Sequence, residues 1–127
     1  MLMTPKNPAT EIYPAVDYAH AMEVTDAQRL LFVSGTMGLD GKGNAPEGLD
    51  DQLALLWSNI RRILAEANMT TDNIVRLTSY LRHASFAQAN AKARLEALGE
   101  RRVPTTAIVV ETLVPEWLVE IEAVAAS

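Results

Sequence analysis

Apolar residues recur along this chain with two different periods, and the change of period marks out its elements. From Asp50 to Ala67, the residues Leu53, Leu56, Ile60, Ile63, Leu64 and Ala67 return every three or four positions. That spacing predicts a helix with one apolar stripe. Asp50 and Asp51 put negative charge at its start, where free N–H groups and the helix dipole favour it. A second helix from about Ser85 to Leu98 carries Phe86, Ala89, Ala93 and Ala97 on its inner side, with Gly99 suited to end it. Elsewhere the period drops to two. Strands are predicted over Tyr18–Val24 and Arg29–Ser34, joined by the polar stretch Thr25 to Gln28. Further strands are predicted over Ile74–Leu81, over Thr105–Val110 behind Pro104, and over Pro115–Val124. Residues 1–15 hold three prolines and little periodicity, which predicts an extended arm. Residues 34–48 are rich in glycine and predict a long surface loop.

The resulting order is ββ-α-β-α-ββ, an α+β fold with a mixed sheet and two helices on one face. The final strand is the most informative. Val119, Ile121, Ala123 and Ala125 form a purely apolar face, whereas Leu118, Glu120, Glu122 and Val124 share the other. Acids alternating with aliphatics suit a partly covered site where two subunits meet; they equally suit an ordinary outer face with two solvated acids. Two helices cover only one face of a sheet. Yet Leu30-Leu31-Phe32-Val33 is apolar on both faces, and self-association is the simplest cover for the second.

Composition narrows the function classes. A chain of 127 residues, 49% apolar and 21% charged, fits a single globular domain spanning 1–127. Without cysteine there is no disulfide, thiolate ligand or cysteine nucleophile, and with only His20 and His83 a transition-metal site is not expected. No run resembles a signal peptide or a membrane span, so the expected location is cytoplasmic, with no membrane partner. The net charge of −5 and the isolated basic pairs Arg61-Arg62 and Arg101-Arg102 argue against nucleic acid as a partner.

Several fragments in fixed order resemble one family. Tyr18-Ala19-His20-Ala21 is similar to a tyrosine–small–glutamine–alanine segment, and Leu31-Phe32-Val33-Ser34-Gly35 to a strand end of the type (L/I)-F-(V/T)-S-G. Gln52, Asn59 and Ile60 fit its first helix, Phe86 and Asn90 its second, and Val119-Glu120-Ile121-Glu122-Ala123 its closing signature. The chain resembles the RidA (YjgF) proteins, also named endoribonuclease L-PSP-like. That resemblance implies a chorismate-mutase-like subunit, a homotrimer with clefts between subunits, and cofactor-free hydrolysis of reactive imines and enamines to a keto acid and ammonia.

The resemblance also implies a site: Tyr18 and Glu120 as catalytic groups, Ser34, Gly35, Thr106 and Ile108 as ligand-binding ones, and no metal. A glutamate can orient or deprotonate water, and a tyrosine can donate a hydrogen bond to the ligand. Deaminases of this family carry small–arginine–(serine/threonine) after the proline of the fifth strand. Here the run is Pro104-Thr105-Thr106-Ala107, with Thr106 in the arginine's place. Losing a charge-assisted pair to a substrate carboxylate costs about 1.5–3 kcal/mol. Arg101 or Arg102, just before Pro104, is the nearest sequence candidate to replace it. His20 stands where many relatives have glutamine, and the simpler expectation is a structural histidine. Three functions follow: a small-molecule hydrolase, an imine or enamine deaminase among them; a non-catalytic ligand-binding trimer with a regulatory or chaperone-like role; and, least favoured by the charge, an endoribonuclease.

Overall fold

The computed structural model describes residues 1–127 and builds them as one four-stranded sheet, one two-stranded ribbon and two helices. The ribbon pairs β1 (Leu2–Lys6) antiparallel with β2 (Ala21–Thr25), so that Leu2 faces Thr25 and Lys6 faces Ala21. This corrects the expected arm: the first residues are a paired strand. Pro5 is tolerated there because β1 has a free edge. It also corrects the expected first strand, which begins at Ala21 and leaves Tyr18 and His20 in the segment before it. The polar stretch after β2 is no hairpin, because β3 (Leu30–Met37) joins the other sheet.

That sheet has the order β3-β6-β4-β5, with β4 at Ile74–Leu81, β5 at Thr105–Val109 and β6 at Val119–Ala126. β6 is antiparallel to both neighbours, and β5 is parallel to β4. The glutamate strand therefore starts later than its sequence suggests, because residues 115–118 belong to the loop that feeds it. α1 (Leu49–Glu66) crosses from β3 to β4, and α2 (Ala87–Leu98), preceded by a 3₁₀ turn at Ala84–Phe86, crosses from β4 to β5. Parallel strands need such crossovers, and both helices lie over the same face.

The covered face is the core. Leu53, Leu56, Trp57, Ile60 and Leu64 of α1 pack against Leu77 and Leu81 of β4 and against Val119, Ile121, Ala123 and Ala125 of β6. Ile63 departs from the expected stripe and is 38% exposed. In α2 the buried row is Asn90, Arg94 and Leu98, one helical turn apart, while Ala89, Ala93 and Ala97 are only half-buried. The sequence reading put the alanines innermost because a polar Asn-Arg row looks solvated until its partners are known.

Two side-chain amides, one buried and one half-buried, tie the loops to this frame. Gln52 donates to the carbonyls of Pro46 (2.7 Å) and Glu116 (2.8 Å), and its carbonyl oxygen accepts from the Leu118 N–H (3.0 Å). Asn59 donates to the carbonyls of Met37 and Leu39 at 3.0 and 2.9 Å. A side chain at Gly38 would overlap the Gln52 main chain, so β3 approaches α1 closely only because that position is glycine. These bonds fix the start of β6 and the end of β3, the two segments that carry the glutamates and the Ser-Gly pair.

Candidate functional site

The second face of the sheet is uncovered, and alternation sorts the candidates onto it. Register gives three rows across the strands. Phe32, Val124 and Arg76 form one; Glu122, Thr78 and Thr106 the next; Met37, Glu120, Tyr80 and Ile108 the third. Beside Glu122, β3 carries a bulge: Ser34 and Gly35 lie between the paired residues Val33 and Thr36. Phe32 is 73% exposed and Ile108 45%, whereas Glu120, Glu122, Tyr80 and Val124 are half-buried.

The candidates separate into two groups at opposite edges. At the β3 edge, the Glu120 carboxylate folds over Gly35 so closely that any side chain there would overlap it. Ser34 and Gly35 line a shallow depression of about 410 Å³ that continues to Asn59, Arg62 and Ile63 of α1. At the other edge lie Thr106 and Ile108 of β5. The backbone next to Tyr18 runs along the start of that strand, where Ala19 bridges to Pro104 and donates its N–H to the Val103 carbonyl at 3.1 Å. Two strands stand between the edges, a span of roughly 14 Å at the usual inter-strand spacing. One subunit does not bring Tyr18, Ser34, Glu120 and Thr106 together.

Tyr18 is held by a bracket that the sequence reading missed. Arg94 of α2, with a side chain only 6% exposed, donates to the Asp17 carbonyl at 2.6 Å and pairs with its carboxylate at 3.3 Å. Nothing in spacing links residues 17 and 94; a buried arginine in a helix of alanines was the available signal. His20 packs edge-on to Tyr18, with ring centroids 5.7 Å apart. Its Nε2 lies 2.8 Å from the Tyr13 carbonyl, which can only accept, so that nitrogen carries the proton. His20 is a clamp on the N-terminal segment, as the simpler reading expected.

The two loop arginines are occupied elsewhere. Arg101 donates to the carbonyls of Thr71 (2.9 Å) and Ile74 (2.8 Å), and burial lowers its pKa from the usual guanidinium value. Arg102 reaches only the carbonyls of Gly99 and Arg101. None of these bonds directs a guanidinium to Thr106. The cation that does share the open face is Arg76, another residue the site reading passed over.

Arg76, Phe32, Thr78, Tyr80, Glu122 and Val124 line a second depression of about 350 Å³ in the middle of the face. Its floor holds a hydrogen bond from the Tyr80 phenol to Oε1 of Glu122. That bond raises the Tyr80 pKa above its usual 10.0, helped by desolvation and by the charges of Glu122 and Glu120. No three His, Cys, Asp or Glu side chains converge as a metal would require. No helix is long and apolar enough to cross a membrane.

The family profile described as Endoribonuclease L-PSP matches residues 8–127. The chain belongs to that family, the RidA (YjgF) proteins. A RutC family protein of Pyrococcus horikoshii is 31% identical over 115 residues, 88% of each chain. Another, from Aquifex aeolicus, is 35% identical over 81 residues, covering 63% of this chain and 59% of the relative. Among solved structures, the Rid-family protein YyfB of Yersinia pestis superposes over 100% of both chains with a TM-score of 0.87 at 27% identity. The α+β subunit expected from the resemblance, a mixed sheet backed by two helices, is the fold observed.

Proposed function

We propose that this family member is a small-molecule hydrolase acting on an imine or enamine, in a cleft formed where the β3 edge of one subunit meets the β5 edge of the next. The observation that carries this reading is the division of the candidate residues between opposite edges of one sheet. A head-to-tail ring joins unlike edges and closes with few subunits, and three is the number implied by the resemblance. The open apolar face, with Phe32 and Ile108 exposed, supports the same assembly. In this reading the chain works as one domain over 1–127.

The chemistry needs water at the imine carbon. Glu120, held against Gly35, accepts a proton from that water as its oxygen bonds to carbon and the C=N π electrons move to nitrogen. Proton return to nitrogen gives a carbinolamine; Glu120 then takes the hydroxyl proton and passes it to nitrogen as the C=O bond forms and the C–N bond breaks, releasing ammonia. An enamine first takes a proton on carbon. Tyr18, bracketed by Arg94 and β5, donates a hydrogen bond to the ligand, while Ser34 and Gly35 shape one wall and Thr106 and Ile108 the other. Nothing in this sequence of steps calls for a cofactor or a metal.

Thr106 decides the substrate range. Its hydroxyl carries no charge, so the favoured substrates lack a carboxylate at that point, and 2-iminobutyrate is a poor one. A coupled assay that generates 2-iminobutyrate enzymatically and follows its loss should give a kcat/KM below about 10⁴ M⁻¹s⁻¹. Thr106→Arg should raise it roughly 10-fold or more, the worth of one charge-assisted pair. Efficient clearance by the unaltered protein would sink the proposed role of Thr106. The threonine also favours a second reading, a ligand-binding trimer without catalysis, which predicts no turnover of any imine before or after that substitution. An endoribonuclease role gains no support from an open face whose charges are Glu120, Glu122 and a single arginine.

A further inference from the structure

The hydrogen bonds around Tyr18 fall on the two peptide groups that flank it. The Asp17 carbonyl belongs to the peptide group before Tyr18, and Nη1 of Arg94 donates to it at 2.6 Å. The Ala19 N–H belongs to the peptide group after Tyr18, and it donates to the Val103 carbonyl at 3.1 Å. Peptide groups are planar, so φ and ψ of Tyr18 are the only soft dihedrals between the two. With both planes held, the direction in which the side chain leaves the backbone is set, by α2 on one side and by the run into β5 on the other. Only the side-chain torsions remain, and His20 packs edge-on to the ring at 5.7 Å.

Stability alone does not call for this arginine. A buried ion pair returns little over a well-packed apolar side chain of similar size. Arg94 is buried with its Nε unpartnered, and it spends both other nitrogens on one residue, Nη1 on the Asp17 carbonyl and Nη2 on the carboxylate at 3.3 Å. Asp17 is 41% exposed, so water would serve its carboxylate without the arginine. Arg94 also lies on α2, on the covered side of the sheet, so whatever covers the open face leaves this contact in place. We propose that Arg94 is a positioning residue for Tyr18: by holding the Asp17 carbonyl it fixes the phenol for its hydrogen bond to the ligand before ligand or neighbouring subunit arrives. The kinetic consequence rests on the imine reading; the placement of the ring belongs to the subunit itself.

The test replaces Arg94 and reads Tyr18 by two routes. In protein labelled with fluorotyrosine, the fluorine resonance of Tyr18 is the one missing from Tyr18→Phe. Arg94→Met should move that resonance toward free fluorotyrosine with circular dichroism unchanged. Asp17→Asn, which keeps the carbonyl, should leave it near its parent position. Arg94→Lys keeps a charged donor without the two-pronged fork, so it should give an intermediate shift; it also decides the matter should Arg94→Met not fold. In the coupled 2-iminobutyrate assay, Arg94→Met should lower kcat roughly 10-fold with little change in KM. In a Tyr18→Phe background it should cost nothing further, whereas a general loosening of the fold would cost as much in both. A Tyr18 resonance unmoved in both Arg94 variants overturns the proposal, and so does a kcat loss of equal size with and without the Tyr18 hydroxyl. A parent without any turnover removes the imine reading, and the resonance then decides the role of Arg94 by itself.

Discussion

Replacing Phe32 by aspartate should dissolve the assembly while leaving the subunit folded. Phe32 projects from the open face, 73% exposed, and contributes nothing to the buried core. In the proposed ring that face is covered, and each Phe32 would lose about 150 Å² of exposed surface. At about 25 cal/mol per Å², the loss of that burial removes roughly 3–4 kcal/mol per subunit. Three subunits lose about 10 kcal/mol together, near seven powers of ten in the association constant, before the cost of burying a carboxylate is added. Sedimentation equilibrium should give three times the 13.9 kDa subunit mass for the unaltered protein and a single subunit mass for Phe32→Asp. Far-ultraviolet circular dichroism should be the same for both. A Phe32→Asp protein that sediments as the parent does would show that this face is not the interface. A parent that sediments as a monomer would remove the ring and the two-edged cleft with it.

Two further outcomes follow from hydrogen-bonded polar groups. Gln52→Ala leaves the Pro46 and Glu116 carbonyls and the Leu118 N–H without their partner, which should cost about 2–4 kcal/mol and lower Tm by roughly 10 °C in thermal unfolding; an unchanged Tm would mean that water replaces the amide freely. Tyr80 has a pKa raised above 10.0, so the folded state holds that phenolic proton more tightly than the unfolded chain does. Its stabilisation is complete below about pH 10 and fades as pH rises through the folded value. Tyrosinate absorbance should show one of the three tyrosines titrating late, and Glu122→Gln should return it to the ordinary range. A late titration that persists in Glu122→Gln would remove the hydrogen bond as its cause.

The legible parts of the fold were those with a strict period. The alternation from Val119 to Ala125 assigned the two faces of β6 correctly because every other residue there is aliphatic. The stripe of α1 was legible for the same reason, except at Ile63, which is left exposed. Elements without a period were lost. β1 contains Pro5 and no alternation, so its pairing with β2 was invisible, and Tyr18 was drawn into a strand that starts three residues later. At the candidate site, Glu120 and Thr106 were put forward through the family resemblance, and both lie on strands of the one sheet. Arg94 on Asp17 and Gln52 on Leu118 join residues 77 and 66 positions apart, a relation that only the folded chain creates. The proximity of Arg76 and Tyr80 to Glu122 is a matter of register between β4 and β6, which no single strand encodes.

The position of β6 has a consequence for how this protein comes into being. Of the six strands it is synthesised last, yet it lies between β3 and β4 and makes the antiparallel contacts of both. Until it emerges from the ribosome, β3 and β4 have an empty slot between them and no shared ladder. The helices can form earlier, but the apolar face they are meant to cover lacks its central strand. Nascent chains therefore carry an open slot, with exposed strand edges, until β6 is made. β6 completes the sheet, and in the same event it delivers Glu120 and Glu122 to the surface where ligand and neighbour are proposed to meet.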